Sequence, residues 1–292
     1  MKFVTRQIAI TVSLLAVNSV VCADCPKFLL VKKTGVLQSN LIKEASGLAA
    51  SRKNHDVLWT HNDSGDLARI YAINTKGSLL GIYNFPGADA RDWEDIAIGP
   101  GPDPNKDYIY VGDIGDNVAH RESVIVYRIA EPTVDTNQSP VQTLTGFDTI
   151  RLKYPEKPVN AETLMVEPLT KDIYIISKEK KRSRLYRAAY PQSTTGTTIM
   201  EYKSELALGK VTGGDISPDG SMIIIRSYQN ASIWIKPVGI NLWDAFKTRG
   251  CNIPLVAELQ GEAICFAGNG KGYYTLSEKP YQPIYYFAPD ID

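Results

Sequence analysis

The same three-part unit returns five times along this chain, and that recurrence limits the fold more than any single motif does. Each unit opens on a small or acidic residue followed by apolar ones, at Ser46-Gly47-Leu48, Glu94-Asp95-Ile96, Glu162-Thr163-Leu164, Gly214-Asp215-Ile216 and Glu262-Ala263-Ile264. A strand-like run follows in each, from Val57-Leu58-Trp59-Thr60 in the first to Tyr273-Tyr274-Thr275-Leu276 in the last. An aliphatic–aromatic pair closes each unit, at Ile70-Tyr71, Val126-Tyr127, Leu185-Tyr186, Ile233-Trp234 and Ile284-Tyr285. Successive openings are 48, 68, 52 and 48 residues apart. Periods of this size, built from β-branched and aromatic runs between Gly, Pro, Asn and Asp, predict an all-β fold of propeller blades, five in number. Repeated helical periods, which an α/β fold needs, are missing, and the one candidate helical turn is Leu242 to Lys247.

The last unit supplies three strands before the chain stops at Asp292, so its sheet needs a fourth to cover an open edge. The segment Lys27 to Val36 is the expected outer strand, which would make the two ends of the chain share blade five. The longest interval holds the most polar stretch, Pro132 to Gly146, expected as a surface loop ahead of an outer strand Phe147 to Tyr154. A sixth, degenerate blade is the alternative there, but it lacks an opening motif.

Lys2 and Arg6 precede the apolar run Ile8 to Val21, and Val21-Cys22-Ala23 follows, a pattern expected of a secretory signal over 1–23 with one propeller domain over 24–292. The run is short and broken by Thr, Ser and Asn, so no membrane span is expected in the mature chain, a retained N-terminal anchor being the alternative. Secretion implies an oxidising compartment, extracellular or periplasmic according to host. Three cysteines then remain. Cys25 and Cys251 both precede outer strands in neighbouring blades, whereas Cys265 lies within an innermost strand, so Cys25–Cys251 is the expected disulfide. Lys plus Arg equals Asp plus Glu, 32 against 32, and no global field points to nucleic acid. A monomer is expected.

In a propeller the first strand of each blade lines the central channel, which places Ser46, Glu94, Glu162, Gly214 and Glu262 around one axis. Converging carboxylates repel unless protons or a cation compensate. Hard oxygen donors without a His pair suit Ca²⁺, with Ser46, Glu94, Glu162 and Glu262 as candidate ligands. The competing reading has the glutamates bonded to backbone amides or channel water. The loops leaving the second strands carry His61-Asn62-Asp63, Asp113-Ile114-Gly115, Ser177-Lys178, Arg226-Ser227-Tyr228 and Ser277-Glu278-Lys279. His61, Asp63 and Asp113 are the candidate catalytic groups, and Lys178, Arg226 and Lys279 the candidate anion clamp. Asx-Gly turns and solvated loop charges would give the same residues without any chemistry. Trp93 either packs between blades or walls a substrate pocket.

Glu44-Ala-Ser-Gly-Leu, Trp59-Thr-His-Asn-Asp-Ser-Gly, Asp92-Trp-Glu-Asp-Ile-Ala and Tyr110-Val-Gly-Asp-Ile-Gly-Asp-Asn resemble motifs of secreted phytase-like and esterase-like β-propeller proteins. That resemblance implies calcium in or near the channel and, in some members, phosphomonoester hydrolysis. The chain is also similar to calcium-activated nucleotidases, or apyrases, whose five-bladed propellers carry a Ser/Glu ring around axial calcium. Ser46, Glu94, Glu162 and Glu262 match that ring in kind and order, and Gly214 departs from it. Two functions follow as expectations. One is a calcium-dependent hydrolase of a small anionic phosphorylated or ester substrate, and the other a non-catalytic extracellular propeller binding a glycan or protein.

Overall fold

The structure, a computed structural model, describes residues 25–137 and 140–290, and the expected signal segment lies outside them. Five sheets, antiparallel except for one outermost strand each in two of them, are arranged as blades around a central channel in the described residues, as the repeat predicts. The innermost strands are Ala45–Ala50, Trp93–Pro100, Ala161–Val166, Val211–Ile216 and Gly261–Phe266, and each touches the innermost strands of the blades before and after it. That cyclic contact, with Gly261–Phe266 meeting Ala45–Ala50, closes the ring.

The repeated aliphatic–aromatic pair has a physical reason. Adjacent residues of a strand point to opposite faces of the sheet, and in a propeller both faces of a blade are covered. Ile70, Val126, Leu185, Ile233 and Ile284 each join the apolar cluster shared with the following blade. Tyr71, Tyr127, Tyr186, Trp234 and Tyr285 each join the cluster shared with the preceding one. Five clusters thus fill the five spaces between blades, the larger ring always packing backwards. Runs such as Ile173–Ser177 are buried throughout because they face a neighbour on both sides.

Phe28–Val36 pairs antiparallel with Pro283–Pro289 and supplies the outer strand of blade five, which is the closure expected from the sequence. Cys25 and Cys251 are bonded, with Cα atoms 5.5 Å apart, fastening this closing strand to blade four, while Cys265 is a buried free thiol. A bond spanning 226 residues is expected to contribute about 2–5 kcal/mol. Urea unfolding with and without reductant checks this: the midpoint should fall on reduction, and Cys265→Ala should leave that difference in place. The expected helical turn is present at Leu242–Ala245. The stretch Pro132 to Gly146 departs from a plain loop, since Val141–Thr143 adds a fifth strand to blade one, parallel to Leu79–Asn84. Thr197–Ile199 does the same for blade two beside Asp148–Lys153. Among the described residues, no helix is long and apolar enough to cross a membrane.

Candidate functional site: an acidic mouth on the channel

Every innermost strand begins with a β-bulge, and the bulges build the site. Pairing slips by one residue between Trp93 and Asp95, Ala161 and Thr163, Val211 and Gly213, Gly261 and Ala263, and within Ala45 to Leu48. A bulge carries an unpaired residue whose side chain is re-aimed. The five residues so placed are Ser46, Glu94, Glu162, Thr212 and Glu262. Blade four therefore contributes Thr212, and the expectation of Gly214 at this level is corrected: Gly214 lies two residues further along, paired with Ile225.

Three carboxylates from two blades meet at this mouth. Oxygens of Asp63, Asp92 and Glu94 all lie within 4.8 Å of one another. Around them stand Glu162, Glu262 and Glu278, with Lys178 as the cation inside the group: its Nζ is 2.6 Å from Glu162 Oε1 and donates to the Tyr228 hydroxyl at 2.8 Å. Glu278 and Glu262 share a hydrogen bond. Burial and mutual repulsion raise these acids together. Glu94 is pushed well above the ordinary carboxylate range, first by burial and then by Glu162, Asp63 and Asp92, against the opposing charge of Lys178. Burial first, then Glu262 and Asp63, lifts Glu162 to about 7 although Lys178 pulls the other way. Asp63 is lifted to about 6, chiefly by burial, and Glu278 to about 8 by burial, its hydrogen bond to Glu262 and that residue's charge. Such a group favours binding protons or a cation.

The backbone beneath Asp92 is fixed by a strut. Asp113 Oδ1 accepts the Asp92 N–H at 3.0 Å and an Arg121 Nη1 bond at 2.7 Å, and Arg121 Nη1 also donates to the Gly115 carbonyl at 2.8 Å. Gly115 N–H returns a bond of 3.1 Å to the Asp92 carbonyl. A methyl group at Gly115 would overlap the carboxylates of both Glu94 and Asp92. Gly115→Ala is therefore expected to spread the three acids, cost about 1–3 kcal/mol and weaken cation binding about tenfold or more. Calorimetric titration of calcium and urea unfolding of the variant measure the two effects.

The remaining sequence candidates fall elsewhere. Asp113 is fully buried in its pair with Arg121, so it holds Asp92 in place rather than acting on a substrate. His61 is fully buried too, its Nδ1 2.8 Å from the Asn62 carbonyl and its ring edge-on to Trp93, and burial pulls it down to about 4. It is a neutral wall residue. Trp93 packs against Phe85 and Tyr127 and donates to the Asp89 carbonyl at 3.0 Å, which is the blade-packing role. Arg226 is sealed between blades four and five by Glu258 at 3.0 Å and the Ala263 carbonyl at 3.0 Å, so it is no part of an anion clamp. Lys279 stands on the rim, 4.0 Å from Glu278 and half-exposed. Ser46 donates to the Glu94 carbonyl at 2.5 Å, joining blades one and two beneath the acids. Asp92, Glu278, Tyr228 and Gly115 belong to the site without having been singled out as site residues from sequence. Their signal was position: each sits immediately before an inner strand or in a loop leaving a second strand.

No protein-family model matches this chain, and no curated protein matches it in sequence. Among solved structures, a gluconolactonase from Xanthomonas campestris is similar with a TM-score of 0.47 and 12% identity, over 91% of this chain and 95% of that one.

Proposed function

We propose that the acidic mouth binds a divalent cation, calcium, and that the protein is a secreted, metal-dependent hydrolase of small ester substrates. The observation that carries this reading is the meeting of Asp63, Asp92 and Glu94 within 4.8 Å, all three with raised proton affinity. The donors are oxygens only, which suits a hard cation such as Ca²⁺. Bound there, the ion would supply charge stabilisation at an ester oxygen and acidify a water. The chain's own groups do the rest. Glu162, poised near neutrality, can take a proton. Lys178 donates to the Tyr228 oxygen, which leaves the phenol's own proton free to be offered to a leaving group. Burial pushes that phenol up to about 12, so it stays protonated at working pH.

The charge of the mouth selects among esters. Six carboxylates face Lys178, with Lys279 at the rim, so once a bound divalent ion has displaced their protons the site still carries net negative charge. With Arg226 withdrawn into its ion pair with Glu258, a phosphate dianion lacks a clamp. A carboxylic ester fits this electrostatics, and the phytase-like and nucleotidase-like expectations of an anionic substrate do not. The Cys25–Cys251 bond agrees with an oxidising, extracellular or periplasmic location.

The test is turnover of p-nitrophenyl acetate against p-nitrophenyl phosphate, each with calcium and with chelator. Acetate hydrolysis should depend on calcium and vanish in Asp92→Asn, and phosphate should be turned over poorly. Calcium binding with no turnover of either ester would leave the non-catalytic propeller in place of the hydrolase.

A further inference from the structure

The face of the disc opposite the acidic mouth carries a groove of about 450 Å³ between blades one and five. Its walls are the first-to-second-strand loops of those blades, residues 50–57 and 267–269, with Thr75 and Tyr274 completing it. The volume lies within the range of small-ligand sites. Arg52, Lys53 and His55 line it together with one carboxylate, Asp56, whose side chain accepts from Thr75 Oγ1.

The loop presenting the cations is rigidly held. Glu131 of blade two is buried, and its carboxylate accepts from Ser51 Oγ, from Trp59 Nε1 at 2.9 Å, from Asn54 Nδ2 at 3.2 Å and from the Lys53 N–H at 3.2 Å. Asn54 Oδ1 in turn accepts the Val134 N–H at 2.9 Å. Gly268 comes close against the Ser51 carbonyl, where a side chain would collide, so the two walls are in register. The cations themselves are only loosely engaged. Arg52 Nη1 is 3.7 Å from Asp107 and also faces Asp215 at the lower end of the channel, and Lys53 Nζ reaches the Glu131 carbonyl at 3.3 Å. Two permanent cations therefore face one lining carboxylate, beside a half-buried tyrosine and the aliphatic Ala50, Val57 and Leu58.

We propose that this groove is a second binding site, separate from the acidic mouth, for a small monocarboxylate whose apolar body rests on Tyr274 and whose carboxylate is held by Arg52 and Lys53. A planar guanidinium matches a carboxylate in a two-point bond, and a lining of two cations and one carboxylate, with Asp107 already beside Arg52, suits a monoanion rather than a phosphate dianion. The site draws nothing from the metal at the mouth, so it stands or falls independently of the hydrolase reading.

Benzoate is the probe, with benzamide as its uncharged counterpart and phenyl phosphate as the dianion. Titration followed by tyrosine and histidine NMR shifts should show saturable benzoate binding, weaker phenyl phosphate binding and none for benzamide. Arg52→Gln and, separately, Lys53→Gln should each weaken benzoate about tenfold, while the melting temperature stays near that of the wild type and reports an intact fold. Absence of benzoate binding, equal binding of benzamide, or undiminished affinity in the folded variants overturns the site.

Discussion

Deleting residues 25–36 is expected to make the chain aggregate, not merely to loosen one blade. The segment makes seven register pairs with Pro283–Pro289, from Phe28↔Pro289 to Val36↔Pro283. Without it, the backbone groups of that strand form an open edge beside an apolar face, the usual template for intermolecular pairing. Phe28 also packs edge-on against Tyr273, with ring centroids 4.9 Å apart, and the deletion removes the disulfide. A buried aromatic contributes about 3–5 kcal/mol and a long-loop disulfide about 2–5. Together these approach the whole folding free energy of about 5–15 kcal/mol. Size-exclusion chromatography with light scattering measures the outcome. A monomer that still melts cooperatively near the wild-type temperature would contradict ring closure by the N-terminal strand.

A second large effect is expected from pH and cation together. The unfolded chain has ordinary carboxyls, whereas the folded chain holds Asp63 near 6, Glu162 near 7 and Glu278 near 8. An acid raised in the folded state binds protons more tightly there. Its stabilising contribution is complete below the unfolded value, near 4, and is lost as pH rises through the folded one. Metal-free protein should therefore lose stability between about pH 5 and 8, by several kcal/mol in total. His61 opposes this on the acid side, because a folded value near 4 against 6.5 unfolded makes its contribution fade as pH falls through that window. Calcium should cancel the alkaline loss, so its upward shift of the melting temperature should be small at pH 5 and large at pH 8. Glu94→Gln removes one repelling charge and is expected to stabilise the metal-free protein at pH 8 while shrinking the calcium shift. Thermal melts across this pH range, with and without chelator, give all four results.

The architecture was legible because the packing that makes a propeller repeats in the sequence. The aliphatic–aromatic pairs recur since each blade must offer one face forwards and one backwards, and the pattern survives all five times. The N-terminal strand could be inferred from a missing edge, and the disulfide from where cysteines fall in the blade plan. The bulges were not legible. A one-residue slip changes no composition, and the dipeptide Asp215-Ile216 imitates Asp95-Ile96, which drew the blade-four position to Gly214 when the ladder sets it at Thr212. Asp113, and not Asp92, stands among the sequence candidates for a related reason. Both lie beside the mouth, but only the fold shows that Arg121 neutralises Asp113 and leaves Asp92 facing the acids. Arg226 was misread because its partner, Glu258, lies 32 residues away on a connection with no repeat of its own.

The proposed cation site at the mouth is tested most directly by calorimetric titration of calcium into the metal-free protein at about pH 7.5, alongside Asp92→Asn. The three-carboxylate cluster predicts saturable binding of one ion per chain, with a dissociation constant of about 10⁻⁶ to 10⁻³ M, release of protons on binding, and loss of the signal in the variant. Absence of heat in the wild type, or binding of equal strength in Asp92→Asn, would contradict it.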